Sequence, residues 1–132
     1  LDDQCCKIGM KKNCYRSQCL ETTRAVMGKL SPGLKSLSVF QSRLGRGEWI
    51  QPYTDQTLVK LAQSNTKRIL IVCPSFTVDC LETLEEIQIE NKHLFLEAGG
   101  TAFDYVFCVN DDPQWIQNLS SAIKSPEYFD RL

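Results

Sequence analysis

The sequence predicts an α/β fold: three layers, with a short parallel sheet flanked by helices. Helix-type and strand-type stretches alternate along the chain, the signature of strands joined by crossover helices. The clearest strand, "RILIVCPSF", is an uninterrupted apolar run, as expected for a parallel strand covered on both faces. A long helical stretch follows it directly and ends at "AGG", a glycine C-cap that turns the chain back toward a further strand.

The elements follow in order. "YRSQCLETTRAVMGKL" reads as a helix with Leu20, Thr23, Val26, Met27 and Leu30 on one face, ended by "SPG". "LSVFQS", residues 37–42, is a short β-type run, and the glycine-punctuated "RLGRGEW" comes after it. "TDQTLVKLAQSN" is a second helix with Thr54 or Asp55 as candidate caps. The strand at "RILIVCPSF" leads into the long helix from about Asp79. "FDYVFCVND" predicts another strand, and "DPQWIQNLSSAI" a last helix opened by a favourable Asp-Pro. No internal repeat or low-complexity linker interrupts this order.

With 132 residues, 42% of them hydrophobic and 23% charged, the chain can bury a core and constitutes one domain or part of one. A net charge of -1 offers no electrostatic basis for binding nucleic acid. No apolar run is long enough to span a bilayer, and the first residues lack the layout of a signal peptide, so a soluble, cytoplasmic protein is expected. Peripheral membrane contact stays open. The start at Leu1 rather than Met points to a piece of a longer polypeptide.

The seven cysteines form two populations. Cys73, Cys80 and Cys108 stand alone in apolar or mixed surroundings and read as packed thiols, and the odd total argues against a complete disulfide framework. Cys5, Cys6, Cys14 and Cys19 crowd into "CCKIGMKKNCYRSQC", a lysine-rich stretch with little to bury. A soft metal centre, disulfides or nothing at all could order it. Four thiolates suit zinc or an iron-sulfur cluster. The spacing lacks the CxxC pairs of a zinc ribbon, which makes zinc the weaker candidate.

In "SFTVDCLETLEEIQIENKHLF", Glu82, Glu86 and Glu90 recur every fourth residue. Like charges at that spacing repel by roughly 0.2–0.5 kcal/mol per pair on an α-helix. Asp79 and Glu82 have the spacing of a capping box, which is the ordinary reading of Glu82. The position has a second property, since ligands of parallel α/β sheets bind beyond the carboxyl ends of the strands. A carboxylate stripe starting there could pass a dication or protons inward.

Three ordered motifs, "VFQSRLGRGEWIQPYTDQTL", "FTVDCLETLEEIQIEN" and the closing "GG...VND.P.WI..L", resemble the C-terminal half of ferrochelatase, with the similarity running from about Tyr15 to Ile123. The resemblance implies a Rossmann-like, chelatase-like domain and the insertion of ferrous iron, as substrate, into protoporphyrin IX in a cleft between two similar halves. It places the essential glutamate on Glu82 and the inner acidic pathway on Glu86 and Glu90. Many members carry histidine where this chain has Cys80. It also places the family's catalytic histidine on a strand upstream of the matched region, so a fragment inactive by itself is expected, needing the N-terminal half of the same enzyme as partner. His93 is this chain's only histidine and reads as a surface residue.

By the same resemblance Gln41, Ser42 and Arg43 meet the porphyrin propionates, Trp49 lies near the porphyrin and Phe76 walls the macrocycle; core packing is the alternative for Trp49 and Phe76, and solvation for Arg43. Some ferrochelatases hold a 2Fe-2S cluster, and one bacterial group carries its cysteines just before "CYRxQC". The resemblance thus implies Cys5, Cys6, Cys14 and Cys19 as cluster ligands, a cysteine-rich segment over residues 1–14 and a chelatase-like domain over 15–132. Two rivals are a non-catalytic iron-sulfur binding or sensing module and a small homodimeric tetrapyrrole chelatase.

Overall fold

The computed structural model describes residues 14–30, 32–41 and 47–125 of the chain. Helices α1 (Tyr15–Met27) and α2 (Thr54–Gln63) precede strand β1 (Arg68–Val72). A π-helical segment (Glu82–Asn91) runs without a break into α3 (Lys92–Glu97), and β2 (Ala102–Val106) and α4 (Pro113–Lys124) complete the order.

The strands pair in parallel, Ile69 opposite Phe103 and Ile71 opposite Tyr105 on one face, Leu70 opposite Asp104 and Val72 opposite Val106 on the other. The first face is packed. Leu58 and Ala62 of α2, Ile87 of the π-helical segment, Phe95 of α3 and Phe103 of β2 form the buried core, with Ile69, Ile71 and Tyr105 packed against it. This α/β layering is the predicted class. Burial of β1 on both faces is not met: Leu70 is 61% and Val72 50% exposed, and no described element covers them.

Local chemistry explains most boundaries. At the end of α3, Gly99 adopts φ +108°, its N–H donates to Leu96 O and that of Gly100 to Phe95 O, the paired bonds of a Schellman motif. At α4 the Asp112 carboxylate accepts the Trp115 N–H at 2.9 Å, and Pro113 occupies the first helical position. Both ends are as predicted. Helix α1 stops at Met27 rather than at Leu30, because Gly28 caps it and the chain closes into tight turns. Leu20, Thr23 and Met27 are half-buried as expected of its inner face, while Val26 and Leu30 are exposed.

Three local expectations change. Residue Phe40 makes only an isolated bridge to Tyr53, through Phe40 N to Pro52 O and Thr54 N to Phe40 O, where a strand was predicted over 37–42. That use of the Thr54 N–H also places Thr54 inside α2, with Tyr53 at the N-cap and no side-chain cap bond. The long helix begins at Glu82 with π rather than α geometry. Within it, the buried Asn91 donates its side-chain amide to Glu86 O at 2.8 Å, five residues back. π-Helix is rare and occurs mostly as single-turn bulges within α-helices, frequently at functional sites. Among the described residues no helix is long and apolar enough to cross a membrane.

Candidate functional site

The loop from Cys73 to Leu81 leaves the carboxyl end of β1 and delivers the chain to Glu82. It is held at its centre by Asp79. Thr83 Oγ1 (3.0 Å) and Tyr105 OH (2.8 Å) donate to Asp79 Oδ1; Asn110 Nδ2 (2.8 Å) and Cys108 N (3.2 Å) donate to Oδ2. The Asn110 amide chiefly, then Tyr105, Cys108 and Thr83, hold the Asp79 carboxyl at about 2, against the opposing effect of its partial burial. Asn110 also accepts the Asp79 N–H at 2.8 Å and donates its own N–H to Thr77 O at 2.8 Å. To do this it adopts φ +48°, a left-handed conformation that asparagine tolerates better than most residues.

The capping-box expectation is corrected by these partners. Asp79 caps no helical N–H; Thr83 Oγ1 accepts the Cys80 N–H at 3.0 Å instead. The Glu82 carboxylate is held by the Cys80 thiol and by its own backbone N–H, which together keep its carboxyl below the ordinary glutamate value despite partial burial. Glu82 is thus an anion at the mouth of the sheet.

Glu82 and Glu86 are half-buried and Glu90 is exposed, so the stripe grades from the loop into solvent along the π-helical segment. Gln41 meets Glu82 directly: its Nε2 donates to Glu82 O at 3.1 Å, and its Oε1 lies 4.0 Å from the Cys73 thiol. Burial, followed by the neighbouring Cys108 and Asp79, pushes that thiol up to about 12, so it stays protonated and able to donate. Burial likewise raises the Cys108 thiol and the Tyr105 hydroxyl. Phe76 is half-buried in the turn closed by Phe76 N to Cys73 O, and Trp49 is 38% exposed.

Ser42, Arg43, Cys5 and Cys6 lie outside the described residues. Cys14 sits at the N-cap of α1 and Cys19 on its second turn, both half-buried. The Cys19 thiol is 4.0 Å and the Tyr15 hydroxyl 3.4 Å from Ser75 Oγ, which brings the start of α1 beside the β1 loop. Among the described residues no group of three or more His, Cys, Asp or Glu side chains is arranged to hold a metal ion. Cys14 and Cys19 fit a thiolate-bound cluster in donor chemistry, as two of the four expected ligands. His93 is exposed, as expected, and its Nδ1 lies 3.4 Å from Glu97.

Sequence reasoning passed over Thr83, Tyr105, Cys108 and Asn110. Asn110 had a local signal, an asparagine in a turn between a strand and a helix; Thr83 lies four residues from Asp79 in the same turn, whereas Tyr105 and Cys108 are joined to Asp79 only by the fold.

A family model described as ferrochelatase matches residues 6–126. The chain is 47% identical to a ferrochelatase of Bdellovibrio bacteriovorus over 126 residues, which is 93% of this chain and 38% of that protein. Ferrochelatases of Polaromonas sp. strain JS666 and Pseudomonas fluorescens strain Pf0-1 are 49% and 46% identical, covering 80% and 91% of this chain and 29% and 36% of their own lengths. The chain therefore spans about a third of the length of the curated relatives it matches. With most of its length inside the family model, the chain belongs to the ferrochelatase family.

Proposed function

We propose that this chain supplies the glutamate-bearing wall of the active site of a ferrochelatase, which inserts ferrous iron into protoporphyrin IX, and that the rest of the enzyme supplies the opposing wall and the catalytic histidine. The observation that supports this most is Glu82, an ionised and half-buried carboxylate on the first π-helical turn beyond the end of β1. Metallation exchanges two pyrrole N–H protons for one dication, so the site must guide Fe2+ in and lead two protons away. A carboxylate can do either: it is a hard oxygen ligand for a dication and a general base for a proton. Glu86 and Glu90 extend the stripe toward solvent and serve as relays. In this reading Trp49 and Phe76 lie along the macrocycle, Ser42 and Arg43 meet its propionates, and Gln41 acts at the same strand end while steadying the Glu82 carbonyl.

The uncovered sheet face is the natural seat of the missing partner. Leu70, Val72 and Val106 are exposed in this chain, and the relatives are more than twice its length. Cys19, Cys73, Cys80 and Cys108 are free thiols, which accords with a reducing, cytoplasmic setting.

Within the same proposal, residues 1–14 and Cys19 form a 2Fe-2S segment ahead of the chelatase-like domain, with Cys5, Cys6, Cys14 and Cys19 as ligands. Such a cluster supplies a thiolate-bound iron centre that orders a polar loop with little apolar surface of its own. Anaerobically purified protein should be brown with about two irons per chain, and replacing Cys14 or Cys19 by serine should bleach it. Colourless protein with stoichiometric zinc would refute the ligand assignment.

The function is tested by Glu82→Gln in the complete enzyme. Insertion should nearly cease while thermal stability is kept, because the amide conserves shape and polarity. Loss of stability with full insertion per folded molecule would show a structural residue instead.

A further inference from the structure

We infer that Asp79 and Asn110 form a positioning clamp that holds Glu82 in its working place, a role that deepens the proposed function and rests on it. The first observation concerns Asp79 itself. An ionised carboxylate offers about four lone-pair sites, and Thr83, Tyr105, Cys108 and Asn110 occupy four. Both oxygens are thus engaged by donors of this chain, so Asp79 acts through other residues although it lies three positions before Glu82.

The second observation is where the clamp grips. The five residues from Asp79 to Thr83 are joined end to end by the Thr83 hydroxyl on Asp79 and by the Cys80 N–H on Thr83. Glu82 lies inside this turn, and its carboxylate partner Cys80 lies inside it too. The turn is then fastened across the molecule to the loop after β2. Asn110 grips it twice, at the Asp79 carboxylate and at the Asp79 N–H, and holds the chain just before it at Thr77 O. On the opposite side Gln41 holds the Glu82 carbonyl. The sheet positions Tyr105 and the turn after it positions Asn110, so the place of Glu82 is referred to β2 as well as to its own helix.

A positioning role predicts a loss in turnover larger than any loss in substrate binding. Asn110→Gly is the informative variant, since glycine accepts φ +48° while both side-chain bonds vanish. In the complete enzyme its kcat should fall about tenfold to a hundredfold, the scale of an ångström-sized misplacement. The porphyrin KM should stay within about twofold of the parent. Tyr105→Phe, which removes one hydroxyl and keeps the core ring, should lose turnover to a smaller degree with an unchanged Tm. The exchange Asp79→Asn with Asn110→Asp restores a carboxylate facing an amide and should recover part of the turnover lost in Asp79→Asn alone. Parental kcat in both Asn110→Gly and Tyr105→Phe, with Glu82→Gln inactive, would overturn the clamp and leave the function standing. Parental kcat in Glu82→Gln would instead overturn the function on which the clamp rests.

Discussion

Asp79 shows how a single residue changes meaning between sequence and structure. By spacing it is a helix cap; by contact it is an acceptor whose donors lie on the π-helical segment, on β2 and in the loop beyond. Its carboxyl is lowered from 3.8 to about 2 by those donors. A carboxyl depressed by folding adds stability that is full above the unfolded value and is lost as pH falls through the folded one. The contribution of Asp79 should therefore fade between about pH 4 and pH 2. Acid unfolding monitored by circular dichroism should be less steep across that window in Asp79→Asn than in the parent; curves of equal slope would show that the depression is absent.

Among the elements, α3 has the most legible ending. "AGG" specifies a glycine cap, and the Schellman bonds at Gly99 and Gly100 realise it. The cap has a packing role that no local rule contains. A Cβ on Gly100 would fall 2.2 Å from the ring of Phe95, which is fully buried. Gly100→Ala should thus cost about 1–3 kcal/mol, as overpacking of a filled core does. Urea unfolding would measure it, and an unchanged midpoint would mean that the ring moves aside freely. The π geometry of Glu82–Asn91 was not legible, because its residues are ordinary helix formers and an i, i+4 reading of the glutamates presumes an α-helix. The buried Asn91 side chain on Glu86 O is the kind of contact that reshapes such a ladder, and only the packed core brings it inside.

At the scale of the whole molecule, the apolar run of β1 is half used. Ile69 and Ile71 pack under α2 and the π-helical segment, while Leu70 and Val72 face outward beside Val106. Fully burying such a side chain contributes roughly 1.5–3 kcal/mol, so this face should draw a partner. Leu70→Glu in the chain alone should reduce self-association and binding of a hydrophobic dye, whereas in the complete enzyme it should lower the Tm. Equal dye binding by parent and variant would mean that the face is covered by some other part of the chain.

The sequence by itself determined the α/β class, the parallel strand, the two helix ends at "AGG" and "DDP", and the family. Each depends on short-range chemistry, on hydrophobic period, glycine conformation and cap geometry, or on long ordered motifs. Tertiary structure decided the rest. Three of the four partners of Asp79 lie 26 to 31 residues away, at Tyr105, Cys108 and Asn110. Their meeting depends on the parallel register that sets Ile71 beside Tyr105 and brings both loops to one end of the sheet. Hydrogen bonds across such separations leave no periodic trace in the chain, because the backbone between them can be closed in many ways and the burial of the core selects one.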